Sequence, residues 1–506
     1  MIRDRSLHRR YTVSSNSEPI IHQLRHDFQE LIEYVTGEGA QSRIAYEVEF
    51  TLFRRLLALG ALLLRLFFME RASVRPSEPV YAADETELKY VDKRPTTYFS
   101  VFGKIRFRRH YFHAPGHKGV CPLDAELSLP PRCYSDLLRD WAEHSATNES
   151  YSESLRGLNR ILGISVSKQA LETGIQEDAV DVESFYEQKE TPSTEHEGSI
   201  LVVQADGKGV PMKRDDPAVK AARRGKGQKR AKKKEAVVTA IYTIAPYERT
   251  PQDVVDALVP KQEETEKNPK SPSQRPAPVG KEVRATLAGK DAAFARLTRR
   301  VTQREGTHIQ HRVALTDGAE PLQNRMIELP SQFTLVLDII HAIEYLWNAA
   351  NALLGETHPQ RTNWVRERLL HLLSGQTLAV IHGLETAMTD TSLSPAQRET
   401  LKTTVGYYRR NSPYMHYDQY LHNGWPIGTG VVEGACGHLV KDRMEQSGMR
   451  WTKQGAQSLL DLRAVRINDD WDAYQRFHRQ RQHQRLYGPC SITLPAPECR
   501  VLAQAA

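Results

Sequence analysis

Cysteine is scarce in this sequence of 506 residues. The five cysteines are Cys121, Cys133, Cys436, Cys490 and Cys499. An odd number of widely spaced thiols argues against a disulfide-stabilised secreted fold and favours a reducing cytoplasm. The N-terminal MIRDRSLHRRY has no apolar stretch behind its charges. We therefore expect no signal peptide and a cytoplasmic protein.

Long uncharged hydrophobic runs are also lacking. The most apolar stretch, residues 52–69, contains Arg54, Arg55 and Arg65. Each arginine would cost about 2.5–3.5 kcal/mol at the centre of a membrane helix. The stretch therefore favours a buried amphipathic helix, and we expect no membrane partner. What the chain does have is an excess of positive charge, +7 with a pI near 9.0, which favours a polyanionic partner.

The N-terminal third is predicted to combine helices with one hairpin. Residues 1–95 form the predicted helical region, with helices over 21–34 and 43–71 and no regular structure before residue 20. Residues 98–111 alternate apolar and basic side chains around Phe102-Gly103. This pattern predicts a β-hairpin with a basic face, within a segment bounded at 96–125.

Three candidate zinc ligands follow the hairpin at four-residue spacings, namely His113, His117 and Cys121. A zinc ribbon uses close Cys-x-x-Cys pairs, which are missing here. A degenerate zinc site and ordinary loop histidines both remain open.

Residues 126–190 predict a helix-turn-helix. Helices are expected over 134–144, 151–162 and 167–177, with a break at Gly163-Ile164-Ser165. Ser167, Lys168, Gln169 and Thr173 would face a DNA groove. A helical-core turn is the alternative, because the last helix is not strongly basic.

The central stretch SILVVQADGKGVPM, residues 199–212, contains an apolar run that predicts a buried strand. The strand is expected to end at Asp206-Gly207. An acid at that point would be well placed to bind a metal ion, whereas Asp-Gly is also a common hairpin turn.

A basic run follows within residues 213–235, with nine Lys or Arg and no acid between Lys220 and Lys234. Such runs are usually solvated segments. Beside a metal site, this one would grip DNA phosphates. The residues expected to do so here are Lys208, Arg223, Arg224, Lys226, Lys229, Arg230, Lys232, Lys233 and Lys234.

The following residues predict strands over 236–244, 283–287, 311–315 and 333–337, with a linker at 262–282 and a helix at 291–305. Asp317-Gly318 ends one of these strands and Asp338 another, with His341 three residues later. This order of elements is that of a ribonuclease-H-like mixed α/β domain, placed at 198–340. The first and fourth strands of such a domain lie side by side.

An all-helical insertion is predicted over 341–424, and further helices of the catalytic domain over 425–487, before a tail at 488–506. Glu433 lies in a helix whose inner face would be Val432, Ala435, Leu439 and Val440. A plain surface glutamate fits the same pattern. The fold class is thus α+β and multidomain.

Three acids, Asp206, Asp317 and Glu433, lie 111 and 116 residues apart, so only a fold could bring them together. Clustered carboxylates repel unless a cation lies between them. Oxygen ligands suit Mg²⁺ or Mn²⁺, and two such ions about 3.5–4 Å apart promote in-line displacement at phosphorus. Asp338 could replace Asp317 as the second ligand, but Asp317-Gly318 parallels Asp206-Gly207.

These motifs resemble those of bacterial insertion-sequence transposases of the ISKra type, which are DDE enzymes with Mutator-like relatives. The resemblance rests on ADGKGVPM, ALTDG, LDIIHAIEYLW, WPIGTGVVEGACGHLVKDRMEQSGMRW and DLRAVRINDDWDAY. It implies that Asp206, Asp317 and Glu433 are the catalytic and metal-binding triad. Asp338 and His341 would be accessory residues of an Asp-x-x-His element.

The resemblance further implies a DNA transposase that binds terminal inverted repeats, cuts the element ends and joins 3′-hydroxyls to target DNA. Transposon-end and target duplexes would be its partners on the bacterial nucleoid, and a homodimer or larger assembly would hold two ends. Downstream of Glu433, the residues expected to grip phosphates are His438, Lys441, Arg443 and Arg450. Trp451 would stack on an unpaired base or belong to the core.

Three rival functions remain open. A ribonuclease-H-like nuclease without strand transfer would need the same acids. An inactive, DNA-binding relic of a transposase would not. A general nucleic-acid-binding protein would need only the basic run, and it leaves the three acids unexplained.

Overall fold

The computed structural model describes residues 17–82, 84–213, 233–260, 275–446 and 448–488. The chain forms two compact units, one of residues up to 178 together with those from 472 onward, the other of residues 179–471. The fold is α+β and multidomain, as predicted. The predicted tail and most of the predicted N-terminal irregular segment lie outside the described residues. Among the helices described, none is long and apolar enough to cross a membrane.

The first unit contains helices α1–α7, a small antiparallel sheet and the C-terminal helix. Its elements up to residue 178 are α1 (Glu18–Thr36), α2 (Glu38–Gln41), α3 (Ala45–Ser73), β1 (Val80–Tyr81), β2 (Glu87–Ser100), β3 (Gly103–His113), α4 (Pro122–Glu126), α5 (Asp136–Ala146), α6 (Tyr151–Leu162) and α7 (Lys168–Asp178). The sheet order is β1-β2-β3.

The predicted hairpin is confirmed as β2 and β3, which pair from Lys89↔His113 to Ser100↔Gly103. Gly103 has φ +110°, a left-handed conformation that favours glycine at the turn. The hairpin is longer than predicted, since β2 begins at Glu87. Strand β1 and the start of β2 lie within the region that was expected to be helical. On its inner side, the Phe107 ring stacks on Phe68 of α3 with centroids 4.4 Å apart.

Helices α5, α6 and α7 pack on one another through buried apolar side chains. Ser150 caps α6 in a capping box with Glu153, and Gly163, at φ +72°, ends it. Residues 163–167 connect α6 to α7. The side chains of Ser167, Lys168 and Gln169, at the start of α7, are exposed.

A buried charged cluster ties α5, α7 and the C-terminal helix of the first unit together. The guanidinium of Arg139 bonds to the Asp178 carboxylate, and His478 Nε2 lies 3.1 Å from Asp178 Oδ1. Glu143 is fully buried beside them. Burial and the charge of Asp178 raise the pKa of the Glu143 carboxyl well above its usual value. Glu143 therefore holds a proton that it would lose in the unfolded chain.

Replacing Glu143 should make the protein less sensitive to alkaline pH. Because the folded chain keeps the Glu143 proton to higher pH than the unfolded chain does, stability falls as pH rises above about 4.3, the usual pKa of glutamate. Glu143→Gln is neutral throughout, so we expect its thermal midpoint relative to wild type to be higher at pH 8 than at pH 5. Calorimetry at both pH values measures this difference. The exposed Glu149→Gln is the control, and an equal effect of pH on both variants would contradict the prediction.

The second unit holds a five-stranded sheet between helices. Its elements are α8 (Val182–Gln188), β4 (Ile200–Pro211), β5 (Lys233–Ile244), α9 (Pro251–Leu258), β6 (Val279–Thr286), α10 (Lys290–Arg304), β7 (His311–Thr316), α11 (Glu320–Ile327), β8 (Thr334–Leu337), α12 (Ile339–Leu354), α13 (Arg361–Leu373), α14 (Thr377–Met388), α15 (Pro395–Asn411), α16 (Tyr417–His422), α17 (Gly430–Ala435), α18 (Asp442–Met444) and α19 (Lys453–Ile467). A π-helical segment, Cys436–Lys441, joins α17 to α18. The C-terminal helix α20 (Trp471–Tyr487) belongs to the first unit from residue 472 onward.

The strand order is β6-β5-β4-β7-β8, in which β5 runs antiparallel to its neighbours and β7 and β8 run parallel to β4. Strand β4 is longer than predicted. It pairs with β5 as far as Pro211↔Lys233, and Asp206 lies opposite Val238 inside the ladder. The predictions of a strand end or a hairpin turn at Asp206-Gly207 are therefore wrong, because the antiparallel pairing continues past both residues.

Each face of the sheet has its own core. Ile200, Val202 and Val336 pack against the helices between residues 339 and 422, whereas Leu201 and Val203 pack against α10 and α11. This alternation explains why residues 200–203 are all apolar. The block of residues 339–422 is helical, as predicted. It is fastened to the sheet by the Tyr417 hydroxyl, which donates to the Leu337 carbonyl at 3.0 Å.

Three predicted boundaries change. Strand β6 begins at Val279, so residues 279–282 are not linker. Residues 179–188, assigned to the helix-turn-helix region, belong to the second unit, and residues 472–487, assigned to the catalytic domain, belong to the first. Helix α9 was not predicted, although Thr250 and Asp253 form a capping box at its start.

Candidate functional site

Two of the predicted acids lie at matching positions of neighbouring strands. The last register pair between β4 and β7 is Gln204↔Leu315. Asp206 and Asp317 each follow two residues later. Because the strands are parallel, both residues lie at the same edge of the sheet, where the pairing of β4 with β7 ends. Both side chains are half-buried. Asp317 Oδ1 accepts a hydrogen bond from the Ala319 backbone N–H at 2.9 Å.

Gln204 anchors the third acid. Its buried side chain accepts from the Val432 backbone N–H through Oε1 at 2.8 Å and donates through Nε2 to the Tyr242 hydroxyl at 3.1 Å. The bond to Val432 fixes α17 on β4 and thereby places Glu433 near the acidic edge of the sheet. Sequence analysis missed Gln204. The available signal was a polar residue inside an apolar strand.

Removing the amide of Gln204 should destabilise the second unit. Gln204→Leu keeps the size of the side chain but leaves the buried Val432 N–H without its acceptor. We expect the free energy of unfolding to fall by about 1–3 kcal/mol. Urea denaturation measures the change, with the exposed Gln376→Leu as matched control. Equal midpoints for the two variants would show that the contact does not hold α17.

Glu433 lies beside a buried aspartate and a histidine. The ligand atoms of Asp338, His341 and Glu433 all lie within 4.8 Å of one another, and in the part of the chain that the structure describes no other such group of three occurs. The Thr429 hydroxyl donates to Glu433 Oε1 at 2.6 Å. The backbone N–H of Thr429 donates to Asp338 Oδ1 at 3.0 Å. Thr429 therefore lies between the carboxylates of Asp338 and Glu433 and binds both.

Asp338 is fully buried and begins α12, where it caps the helix by accepting from the backbone N–H groups of Ile340 and His341. His341 Nδ1 lies 2.7 Å from Asp338 Oδ2 and 3.9 Å from Glu433 Oε1. The hydrogen bonds of the Asp338 carboxylate hold the start of α12, the imidazole of His341 and the Thr429 backbone N–H. The geometry is that of a carboxylate that holds a histidine in place.

The charges in this group are coupled. The hydrogen bond to Asp338 raises the pKa of His341 to about 9, and the charge of Asp317 adds to the shift. Burial opposes ionisation of Asp338, but the bonds from His341 and the Thr429 N–H outweigh it and lower the pKa of that carboxyl. At neutral pH, an imidazolium therefore lies among the carboxylates.

Asp206 is held from two sides. The Gly207 backbone N–H donates to its Oδ1 at 2.5 Å, and the Cys436 thiol donates to its Oδ2 at 3.3 Å. Burial and the nearby carboxylates of Asp206 and Glu433 raise the pKa of the Cys436 thiol, so it stays a donor. Cys436 begins the π-helical segment, a feature often found at functional sites. Sequence analysis gave Cys436 no role, although it lies three residues after Glu433.

The structure thus gathers the predicted residues in part. Asp338, His341 and Glu433 form one group. Asp317 is near enough to shift the pKa of His341, and Asp206 and Glu433 both act on Cys436. Asp206 and Asp317 do not belong to the 4.8 Å group among the residues described. Asp206 and Asp317 are half-buried and each accepts from protein donors, whereas Asp338 is fully buried.

Two predicted DNA contacts are corrected. Arg443 is fully buried, its Nη1 donates to Met449 Sδ at 3.2 Å, and its guanidinium lies 5.1 Å from the centroid of the Trp451 ring. A guanidinium in this position cannot reach a phosphate. Trp451 is itself buried, and its Nε1 donates to the Met444 carbonyl at 3.0 Å, so the core interpretation of Trp451 is confirmed.

The other predicted contacts fall into three sets. His438, Lys441 and Arg450 are exposed. Lys208 is half-buried in β4, and Lys233 and Lys234 lie in β5, where Lys233 Nζ is 2.5 Å from Glu445 Oε1. The residues that lie outside the described ranges are Arg223, Arg224, Lys226, Lys229, Arg230 and Lys232.

The candidate zinc ligands do not come together. The ring of His113 stacks on Tyr111, and His117 Nδ1 lies 3.7 Å from Asp84. Within the described ranges, these histidines and Cys121 form no group with metal-binding spacing.

Comparison with known proteins covers part of the chain. No curated protein matches it. Residues 80–246, about a third of the sequence, match the model of a family described as Uncharacterised protein family (UPF0236), which takes in the hairpin, helices α5–α8 and strands β4 and β5.

Proposed function

We propose that the protein is a DNA transposase of the DDE type that cuts DNA at element ends and joins the freed 3′-hydroxyls to target DNA. The observation that carries the proposal is the parallel register of β4 and β7. It brings Asp206 and Asp317 to one edge of the sheet from positions 111 residues apart. Glu433 reaches the same region on a helix anchored by Gln204.

The topology supports the same proposal. A sheet in which the first strand lies between the second and the fourth, with only the second antiparallel, agrees with the expectation of a ribonuclease-H-like domain. A helical block between β8 and α17 agrees with the expected insertion before the glutamate. The ISKra-type motifs that carry the resemblance include all three acids and the Asp338–His341 pair.

The donor set fits hard divalent ions. Asp206, Asp317 and Glu433 offer half-buried carboxylate oxygens, the ligands that Mg²⁺ and Mn²⁺ prefer. Two bound ions would supply charge stabilisation for an in-line displacement at phosphorus. The chain itself positions the ligands, since Cys436 and the Gly207 N–H orient Asp206 and Thr429 orients Glu433.

His341 serves as a second source of positive charge in this proposal. The buried Asp338 holds the protonated ring, whose Nδ1 faces the carboxylates and whose side chain is 33% exposed. A phosphate oxygen beside the acidic edge would be a suitable acceptor. This role suits an accessory residue rather than a metal ligand.

DNA binding in this proposal uses the first unit and the basic run. The exposed Ser167, Lys168 and Gln169 at the start of α7, after the turn at Gly163, support a helix-turn-helix that reads the terminal repeat. Two ends must be held together for joining, so we propose a homodimer or larger assembly working on the bacterial nucleoid.

The test is cleavage and strand joining with a duplex that carries the element's own end, in Mg²⁺, in Mn²⁺ and in EDTA. A duplex of equal length and unrelated sequence is the control. Metal-dependent cuts at the element end followed by joined products support the proposal. Cleavage without joining supports the nuclease instead, and binding without any metal-dependent chemistry supports the relic.

A further inference from the structure

We propose that the outward face of the β2–β3 hairpin binds the phosphate backbone of duplex DNA. This face, called the basic hairpin face, consists of Lys93, Lys104, Arg106 and Arg108. The proposal rests on the proposed function for the identity of the duplex. It adds a binding surface in the first unit, separate from both the basic run and the start of α7.

The two sides of β3 differ sharply. Ile105 and Phe107 are buried on the side that packs against α3, where Phe68 lies. Lys104, Arg106 and Arg108 alternate with them and are exposed. Successive exposed side chains on a strand lie about 6.8 Å apart, so three cations form a line of about 14 Å.

The register extends this line onto β2. Lys93 pairs with His110 and Pro95 with Arg108, which puts Lys93 and Pro95 on the same side as the three cations. His110 is buried and Lys93 is half-buried, so Arg108 is the last fully exposed cation at this end. Thr97 pairs with Arg106 and Phe99 with Lys104. From residues 93 to 99 and 104 to 110, this face therefore carries four Lys or Arg and no acid.

The charges on the two sides have different partners. Arg109, on the inner side, is ion-paired with Asp124. On the outer face, Arg108 donates to the Lys93 carbonyl, which holds its guanidinium along the strand. Within the described residues, neither Lys104 nor Arg106 has an acidic partner. Like charges in one line repel, and a polyanion relieves this repulsion.

Duplex DNA fits the shape as well as the charge. A two-stranded ribbon can enter a major groove, which is about 12 Å wide, and a flat cationic face can follow a phosphate strand. The face offers only cationic side chains for polar contact; these bind phosphates in any sequence, and Arg or Lys can also contact guanine. We assign the face to backbone contact, and comparing two duplex sequences tests this assignment.

The test uses the full chain in EDTA, so that binding is measured without cutting. The variant Lys104→Gln/Arg106→Gln/Arg108→Gln removes three exposed charges. The control Arg25→Gln/Arg43→Gln/Lys118→Gln removes three other exposed charges from the first unit. Binding to fluorescent duplexes is titrated at several salt concentrations, with the element-end sequence and with an unrelated sequence.

For the hairpin variant, we expect the slope of log K against log salt to fall by about 2–3, since each lost phosphate contact removes about 0.9. Affinity near 0.1 M salt should drop roughly tenfold or more, equally for both sequences. Arg106→Lys, which keeps the charge, should bind like wild type. Equal slopes for wild type and hairpin variant, or equal losses in the control, would overturn the proposal. A loss confined to the element-end sequence would overturn the backbone assignment.

Failure of this proposal and failure of the proposed function give different results. If wild type cuts and joins DNA but the hairpin variant binds as tightly as wild type, only the hairpin proposal fails. If the hairpin variant loses binding while wild type shows no metal-dependent cutting, only the transposase proposal fails. A wild-type protein that binds neither duplex contradicts both. Thermal unfolding of the variant within a few degrees of wild type excludes loss by misfolding.

Discussion

Asp206→Asn and Asp317→Asn are each expected to lower Mg²⁺-dependent DNA cleavage and joining by about 10²–10³-fold or more, the loss typical of removing one preorganised electrostatic group. Each replacement keeps the size of the side chain but removes a charge from the same edge of the sheet. Glu433→Gln should lower cleavage and joining to a similar extent. DNA binding in EDTA should be retained, because none of these side chains carries positive charge. Single-turnover cleavage and gel-shift binding are the two measurements.

The matched control is Glu248→Gln, an exposed acid in the loop after β5, which should leave cleavage unchanged. Asp338→Asn separates the two candidates for the second ligand. As a positioning residue, it should cost about 10–100-fold, because the asparagine still accepts from the Thr429 N–H but no longer holds an imidazolium. A dead Asp338→Asn beside an active Asp317→Asn would show that Asp338, and not Asp317, is the ligand.

Arg304→Met is expected to cost about 3–5 kcal/mol of unfolding free energy, the penalty for stranding one partner of a buried ion pair. The side chains of Arg304 and Glu197 are 1% and 2% exposed. Arg304 Nε donates to Glu197 at 2.9 Å, and its Nη1 donates to the Gly280 carbonyl at 2.7 Å. The replacement would leave a carboxylate in the interior with only His308 Nε2, 2.8 Å away, as its partner.

Arg409→Met is the matched control, because Arg409 pairs with Glu385 at the surface and is 64% exposed. Surface pairs contribute about 0–1 kcal/mol, so its urea midpoint should stay close to that of wild type. A loss below 1 kcal/mol for Arg304→Met would mean that the second unit relaxes around the buried carboxylate.

The strands that frame the candidate site could be predicted because their apolar runs are long and unbroken. Residues 200–203 and 335–337 are buried on both faces of a mixed sheet, and this burial appears in the sequence as an uninterrupted apolar run. The end of β4 could not be predicted. Asp206-Gly207 carries the composition of a turn, and only its pairing with β5 keeps it extended.

The acids of the candidate site were predicted from the sequence, but the hydrogen bonds that hold them in place were not. Asp206, Asp317, Asp338 and Glu433 were all singled out from motifs and strand ends. Gln204 and Cys436 were not, because a buried hydrogen bond to a helix 228 residues away has no local pattern. Arg443 was misassigned for the same reason, since a basic residue beside a glycine-rich motif looks exposed until its packing on Trp451 is known.

The separation of the acids along the chain also determines how long synthesis takes to pass from the first acid to the last. Glu433 is made 227 residues after Asp206, and at about 5–20 residues per second the ribosome needs about 11–45 s to cover that interval. During this time β4 and β5 can pair, but the glutamate that would complete the site does not yet exist. A chain terminated between β8 and α17 would contain the hairpin and all five strands of the sheet but not Glu433. In the proposed transposase, such a chain would bind DNA without a complete site and would compete with the full-length protein.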